Sequence, residues 1–321
     1  MATTVPSRLL IIGATGVIGK YITNAIVSSK SRISNLSQVS ILTSAATVSN
    51  PAKESLLSSW KSQGLEVITG DINSADDVRK AYKDVDTVVS CLGRGGLLEQ
   101  IELLKLAEES SSVQWFFPSE YGTDIEYDET SPSEKPHQNK LKVRAFIREN
   151  IKKLKVTYVV TGPYADMFLE YKSGYPSAGG YDVKKKDAVL VGDGEDKIGF
   201  TTMPDVGKFV VAALANPNAS QNKALKVQSF VTTAKAILDE FEKQTGSKFD
   251  VKYTSKEELR QTEQKLWGEG NPSATTFTLR RIWADGKTLY EKTDNESLGV
   301  KTDDLEPLSV VIGRTVRGEG Y

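Results

Sequence analysis

The sequence predicts an α/β fold: a parallel sheet with helices on both sides, followed by a smaller lobe. Short β-branched apolar runs alternate with helix-period segments through the first half, the pattern of a sheet wound by crossover helices. Those runs are mostly apolar on both faces, as strands buried from both sides must be. After residue 162 the texture changes to loops rich in Gly, Lys and Tyr, which marks a different kind of unit.

The strands expected in order are Leu9–Gly13, Val39–Thr43, Glu66–Thr69, Thr87–Cys91, Gln114–Pro118 and Thr157–Thr161. The helices between them are Val17–Ser29, Ala52–Gln63, Ala75–Tyr82, Leu98–Glu109 and Asn139–Lys152. Beyond these, 174–187 (GYPSAGGYDVKKKD) reads as loops with short hairpins, Phe200–Leu214 as a strand end running into an apolar helix, and Ala234–Thr245 as a helix. The large aromatics Trp267, Trp283 and Tyr290 cluster in 255–292. The expected organisation is a dinucleotide-binding domain over 1–165, re-entered by about 200–232, with 166–199 and 233–321 forming a substrate-binding lobe.

Composition narrows the function classes. The 41 basic and 42 acidic residues give a net charge of −1, so no electrostatic footprint points to nucleic acid or an anionic membrane. A single cysteine, Cys91, and a single histidine, His137, exclude an internal disulfide and any multi-histidine or cysteine-based metal site. No secretory signal and no apolar run near spanning length is visible, so a cytoplasmic protein is expected, as monomer or homodimer.

GATGVIG (13–19) follows an apolar strand and opens a helix, with glycines at 13, 16 and 19. Gly13 suits the tight turn, Gly16 close approach of backbone to a pyrophosphate, and Gly19 close helix–strand packing. The backbone of Thr15, Val17 and Ile18 then meets the phosphates at the helix N-terminus. This is a Rossmann-type dinucleotide site. An NAD site usually places a carboxylate at the end of the second strand. Here that position reads Thr43–Ser44, with no acid before Glu54, and Lys53 is available for a 2′-phosphate. NADPH is therefore expected, with NADH left open. Asp71 (TGD, 69–71) and Cys91, Leu92 and Gly93 (SCLG, 90–93) end the next strands on the same edge and should line the adenosine and ribose; Cys91 would be a wall residue without redox work.

One Tyr-x-x-x-Lys pair, Tyr181 and Lys185, lies in a loop-like segment away from the helix where such a pair would act. The helix after the fifth strand offers lysines instead. At about 100° per residue, Val143, Phe146, Ile147 and Ile151 form one apolar arc and Lys140 falls within it. Lys142, Arg148, Glu149 and Lys152 face the other way, and Arg144 sits at the edge. Lys140 is thus aimed toward the sheet near the carboxyl end of FFPSEYG. Apolar surroundings lower an ammonium pKa, as a general base near neutrality requires. The alternative is that Lys140 only hydrogen-bonds the nicotinamide ribose or a loop carbonyl. His137 is expected as a surface residue at the start of the helix.

These motifs resemble the NmrA-like, isoflavone-reductase-like branch of atypical short-chain dehydrogenases. The likeness rests on GATGVIGK (13–20), SNPAKESLL (49–57), TGD (69–71), FFPSEYGTD (116–124), KLKVR (140–144) and VTYVV (156–160), and extends through 191–214. The resemblance implies NADPH-dependent reduction of a small aromatic or conjugated carbonyl compound without a catalytic tyrosine. It places the family lysine on Lys140 and the companion lysine of the cofactor site on Lys53. The family arginine for the 2′-phosphate falls on Thr43, a departure. It also implies a substrate pocket lined by Tyr121, Tyr164, Met167 and Phe168. A dinucleotide-sensing regulator without turnover and a redox-neutral isomerase or cyclase are the other readings of the same fold.

Overall fold

A computed structural model describes residues 4–170 and 174–319. The first half alternates strand and helix: β1 Arg8–Ile12, α1 Val17–Ser28, β2 Gln38–Thr43, α2 Ala45–Val48, α3 Pro51–Ser62, β3 Leu65–Thr69, α4 Ala75–Tyr82, β4 Thr87–Ser90, α5 Gln100–Glu109, β5 Trp115–Phe117, α6 Gln138–Asn150 and β6 Lys155–Val160. Local chemistry sets several of the helix starts. Asn50 accepts from Ala52 N with Pro51 at the first helical position of α3, and Ser74 accepts from Asp77 N at α4.

The second half contains α7 Ala165–Phe168, β7 Gly180–Asp182, β8 Asp187–Val191, β9 Lys197–Phe200, α8 Met203–Ala215, α9 Pro217–Ser220, β10 Lys223–Lys226, β11 Phe230–Thr233, α10 Ala234–Thr245, β12 Asp250–Thr254, α11 Lys256–Gly268, α12 Ala274–Ala284 and α13 Leu308–Val316. The segment 174–187, expected as loops with short hairpins, supplies β7 and the turn of a hairpin whose second strand, β8, runs on to Val191. Tyr181 therefore lies on a strand and Lys185 in the turn that follows, so no helix brings the pair together.

The central sheet has seven strands in the order β3-β2-β1-β4-β5-β6-β10, all parallel. Alternate residues of β1 serve opposite cores. Leu9 and Ile11 pack with α1, α3 and α8, whereas Leu10 and Ile12 pack with α4, α5 and α6. Helix α8 lies against α1 at a glycine: a Cβ at Gly207 would stand 2.6 Å from Tyr21 O, so the two backbones nearly touch. The seventh strand, β10, extends the sheet beside β6. The remaining strands form a two-stranded β11-β9 unit and a three-stranded β12-β8-β7 unit, the latter packed with α10 and α13 around Phe168, Phe200 and Phe241. Among the described residues no helix is long and apolar enough to cross a membrane.

The strand order reverses between β1 and β4, whose carboxyl ends therefore open a crevice. The glycine turn, the end of β4 and the segment after β5 all converge there.

Candidate active site

Gly13 turns the chain out of β1 with φ +78°, and a Cβ there would meet Cys91 O at 2.7 Å. Only glycine lets this turn rest on the end of β4. A Cβ at Gly19 would fall 2.1 Å from Gly13 O, which fixes α1 directly against the turn. Gly16 caps α1 with no side chain bonded to its first N–H groups, and Val17 beside it is 53% exposed. This open helix start, with backbone unobstructed by side chains, fits a diphosphate.

Lys53 reaches from α3 to this turn: its Nζ donates to Thr15 O at 3.0 Å. It is thus drawn in beside the glycine turn, where a cation would meet a 2′-phosphate. Thr43 is half-buried at the end of β2, and Ser44 Oγ accepts from Thr47 N as the cap of α2. Asp71 is exposed, and its carboxylate accepts from Asn73 N at 2.9 Å within its own loop. Cys91 is buried, and burial pushes its thiol well above the ordinary range, consistent with a wall residue. Leu92 O accepts from Ser119 Oγ at 2.8 Å, tying the end of β4 to the segment after β5, and Gly93 stands in open space.

Lys140 is half-buried near the start of α6. Its Nζ donates to Glu120 O at 2.8 Å and lies beside Gly122, where a Cβ would stand 3.5 Å away. Burial drives its pKa below the ordinary lysine value; Glu120 opposes this, and Arg94 and Arg144 add to it. The same helix buries Val143 and Ile147.

Arg144, expected at the edge, is instead 4% exposed. It pairs with the buried Glu120 at 3.2 Å and with Glu126 at 2.6 Å, and its guanidinium lies 4.6 Å from the Tyr158 ring centroid. Glu120 therefore anchors the site twice, through its carboxylate on Arg144 and its carbonyl on Lys140. His137 also departs from expectation: it is 2% exposed because Ser131 and Tyr127 enclose it. Its Nδ1 lies 3.1 Å from Ser131 O and so carries the proton, which leaves Nε2 an acceptor without a partner among the described residues. Burial lowers its pKa, favouring the neutral ring.

A cavity of about 300 Å³ opens over Lys140. Ile18, Leu92 and Gly93 bound it on the dinucleotide side, Tyr121 and Tyr164 at the floor, and Leu279, Arg280 and Trp283 from α12. Tyr164 Oη donates to Tyr121 O at 2.6 Å, so the two expected substrate tyrosines brace each other; burial raises the phenol pKa of both well above the ordinary range. Met167 reaches the cavity and is 37% exposed. Phe168 does not line it. Its ring packs edge-on to Phe200 in the core of the β12-β8-β7 unit, beneath the Arg280 guanidinium, because α7 turns it away from the opening. Arg94, His137, Arg280 and Trp283 are cavity residues that the motifs did not select; nothing in their local sequence distinguishes them.

The crevice, the uncapped glycine turn and a lysine beside an apolar cavity define a dinucleotide-dependent enzyme. A model of the NmrA-like family matches residues 6–277. An isoflavone reductase homolog of Solanum tuberosum is 30% identical, covering 94% of each chain. A crystal structure of isoflavone reductase superposes with TM-score 0.79 at 25% identity, over 97% of this chain and all of that one. Leucoanthocyanidin reductase of Vitis vinifera, solved as a binary complex with NADPH, superposes with TM-score 0.80 at 21% identity, over 97% of this chain and 99% of that one. The chain belongs to the NmrA-like family, and within it to the isoflavone-reductase-like oxidoreductases.

Proposed function

We propose that the protein is an NADPH-dependent reductase of small aromatic, phenolic or conjugated carbonyl compounds, with Lys140 as general acid/base. The observation that carries this reading is the amine of Lys140, tethered to Glu120 O at 2.8 Å, in a cavity that adjoins the glycine turn. NADPH, when bound, supplies the hydride.

The residues of this chain do the remaining work. The turn Gly13–Gly19 with Thr15, Val17 and Ile18 receives the diphosphate, and Lys53 receives the 2′-phosphate in place of an arginine at Thr43. Thr43, Ser44 and Asp71 border the adenosine end, and Cys91, Leu92 and Gly93 form the wall toward the cavity. Tyr121, Tyr164 and Met167 shape the floor on which an aromatic ring lies. Lys140 has one hydrogen on the Glu120 carbonyl and others free for the substrate oxygen. In its neutral form it takes a phenolic proton, and as the ammonium it returns one to the reduced product. The neutral His137 ring, whose Nε2 has no partner among the described residues, offers an acceptor at the same wall.

The test is loss of the reduced-nicotinamide absorbance with NADPH and a panel of phenylpropanoid-like enones and quinone methides. NADPH oxidation by at least one member is the expected result. Cofactor binding without turnover across the panel would overturn the enzyme reading in favour of a sensor. Product formed without NADPH oxidation would move it to an isomerase.

A further inference from the structure

The charge of the cavity is more than a proton-handling lysine requires. Arg94, Lys140 and Arg280 line it, and among the described residues no carboxylate does. Lys140 has a role; the two arginines do not.

Arg280 is 5% exposed on α12. Its guanidinium stacks 3.8 Å from the Phe168 ring centroid and 5.7 Å from that of Trp283, and Nη2 donates to Phe168 O at 2.7 Å. That uses one of five N–H donors. Three other arginines that this fold draws out of solvent each hold two carboxylates: Arg144 on Glu120 and Glu126, Arg281 on Glu134 and Glu263, and Arg314 on Asp166 and Glu306. Among the described residues Arg280 has no carboxylate in ion-pair contact; Glu170 acts on it only from a distance, favouring the charged form more weakly than burial opposes it. A guanidinium taken out of water without an anion is costly, and the aromatic faces offset only part of that cost. Burial lowers its pKa to about 10, which still leaves it charged near neutrality. Arg94 stands in the turn after β4, exposed but close enough to lower the pKa of Lys140, and among the described residues no carboxylate pairs with it.

We propose that the substrate is a carboxylate-bearing aromatic acceptor, its carboxylate received by the free edge of the Arg280 guanidinium with Arg94 adding to the positive field. This rests on the cavity being the substrate site of the reductase. The fork geometry of a guanidinium suits a carboxylate through two parallel hydrogen bonds. Leu97, Ile125, Leu279 and Trp283 supply apolar walls for the ring, and the reducible bond then lies toward Lys140.

The experiment is calorimetric titration of the NADP⁺-saturated protein with benzoate, cinnamate and para-hydroxycinnamate, each against its methyl ester. At least one acid should bind roughly tenfold or more tightly than its ester, the margin of a charge-assisted pair. Arg280→Met should bring that ratio near one with NADP⁺ affinity retained. Because Arg280 also packs on Phe168, Arg94→Met serves as a second variant and should weaken the acid several-fold while sparing the ester. The comparison in the unaltered protein decides even where a variant misfolds. Esters binding as well as acids across the panel, or no acid binding at all, overturns the proposal. The reductase reading is judged separately by NADPH oxidation with neutral enones. Turnover without acid preference keeps that reading and sinks this one; acid preference with no NADPH oxidation by enones or acids leaves a carboxylate site but overturns the reductase reading, and the substrate role with it.

Discussion

Replacing Arg144 with Met removes a guanidinium whose side chain is 5% exposed from a carboxylate, Glu120, that is 2% exposed. The nearly isosteric Met fills the volume, so the loss is electrostatic. Glu126 keeps Arg148 at 2.8 Å and is 37% exposed, so its share is below about 1 kcal/mol. Glu120 is left as a buried charge without its cation, for which the cost is about 3–5 kcal/mol. In a chain of this size that lowers the melting temperature by roughly four to seven degrees, readable by calorimetry or urea titration. Adding Glu120→Gln to the same chain removes the stranded charge and should restore about 1–2 kcal/mol. A second readout concerns catalysis. Arg144 holds the Lys140 pKa down against Glu120, which holds it up, so removing Arg144 moves that pKa upward. Less neutral amine is then present near neutrality, and the rising limb of kcat/KM against pH shifts to higher pH. A single variant within about 1 kcal/mol of the parent, a double variant less stable than the single, or a limb that moves downward would refute the reasoning.

Lys140→Ala should lower kcat by about 10²–10⁴-fold while NADPH affinity, followed by nicotinamide fluorescence, changes little; near-parental turnover would remove Lys140 from the mechanism. Lys53→Ala should weaken NADPH roughly tenfold or more and leave NADH almost unaffected, if the amine now on Thr15 O meets the 2′-phosphate; equal loss for both cofactors would remove that role. Gly207→Ala sets a methyl group 2.6 Å from Tyr21 O and 2.7 Å from Ala25 Cβ, and should destabilise the α1–α8 contact by about 1–3 kcal/mol in urea titration. Cys91 should resist alkylation by iodoacetamide in the native protein and react on unfolding, since burial keeps the thiol protonated; rapid native labelling by mass spectrometry would contradict its place as an inert wall.

The central sheet was readable because both of its faces are buried, which writes near-continuous apolar runs such as RLLII and QVSILT into the chain. The glycines were readable for a related reason: at Gly13 and Gly19 the backbone geometry admits no other residue. The second lobe was harder. β12 (DVKYT) is largely exposed and pairs in parallel with β8, so its sequence carries little of the pattern that a doubly covered strand shows. Buried charges were harder still. Helix phase singled out Lys140 among the basic residues of α6, but placed Arg144 at an edge, because its burial depends on Glu120, 24 positions earlier. His137 reads as a surface residue until Ser131 folds back over it. Arg280 becomes interpretable only when Phe168, 112 residues away, is seen beneath it. A side chain whose environment comes from distant segments leaves no local signature.

The segment between β5 and α6 is clasped by the far end of the chain. Trp283 Nε1 donates to Thr123 Oγ1 across 160 residues, Arg281 grips Glu134 across 147, and Lys287 holds Asp128 across 159. On a ribosome the strands through β6 can pair while those partners are still unsynthesised. The wall beside Lys140 is therefore among the last parts of the molecule to be fastened. A nascent or truncated chain ending before residue 281 would present the crevice at the ends of β1 and β4 with the wall beside Lys140 still unfastened.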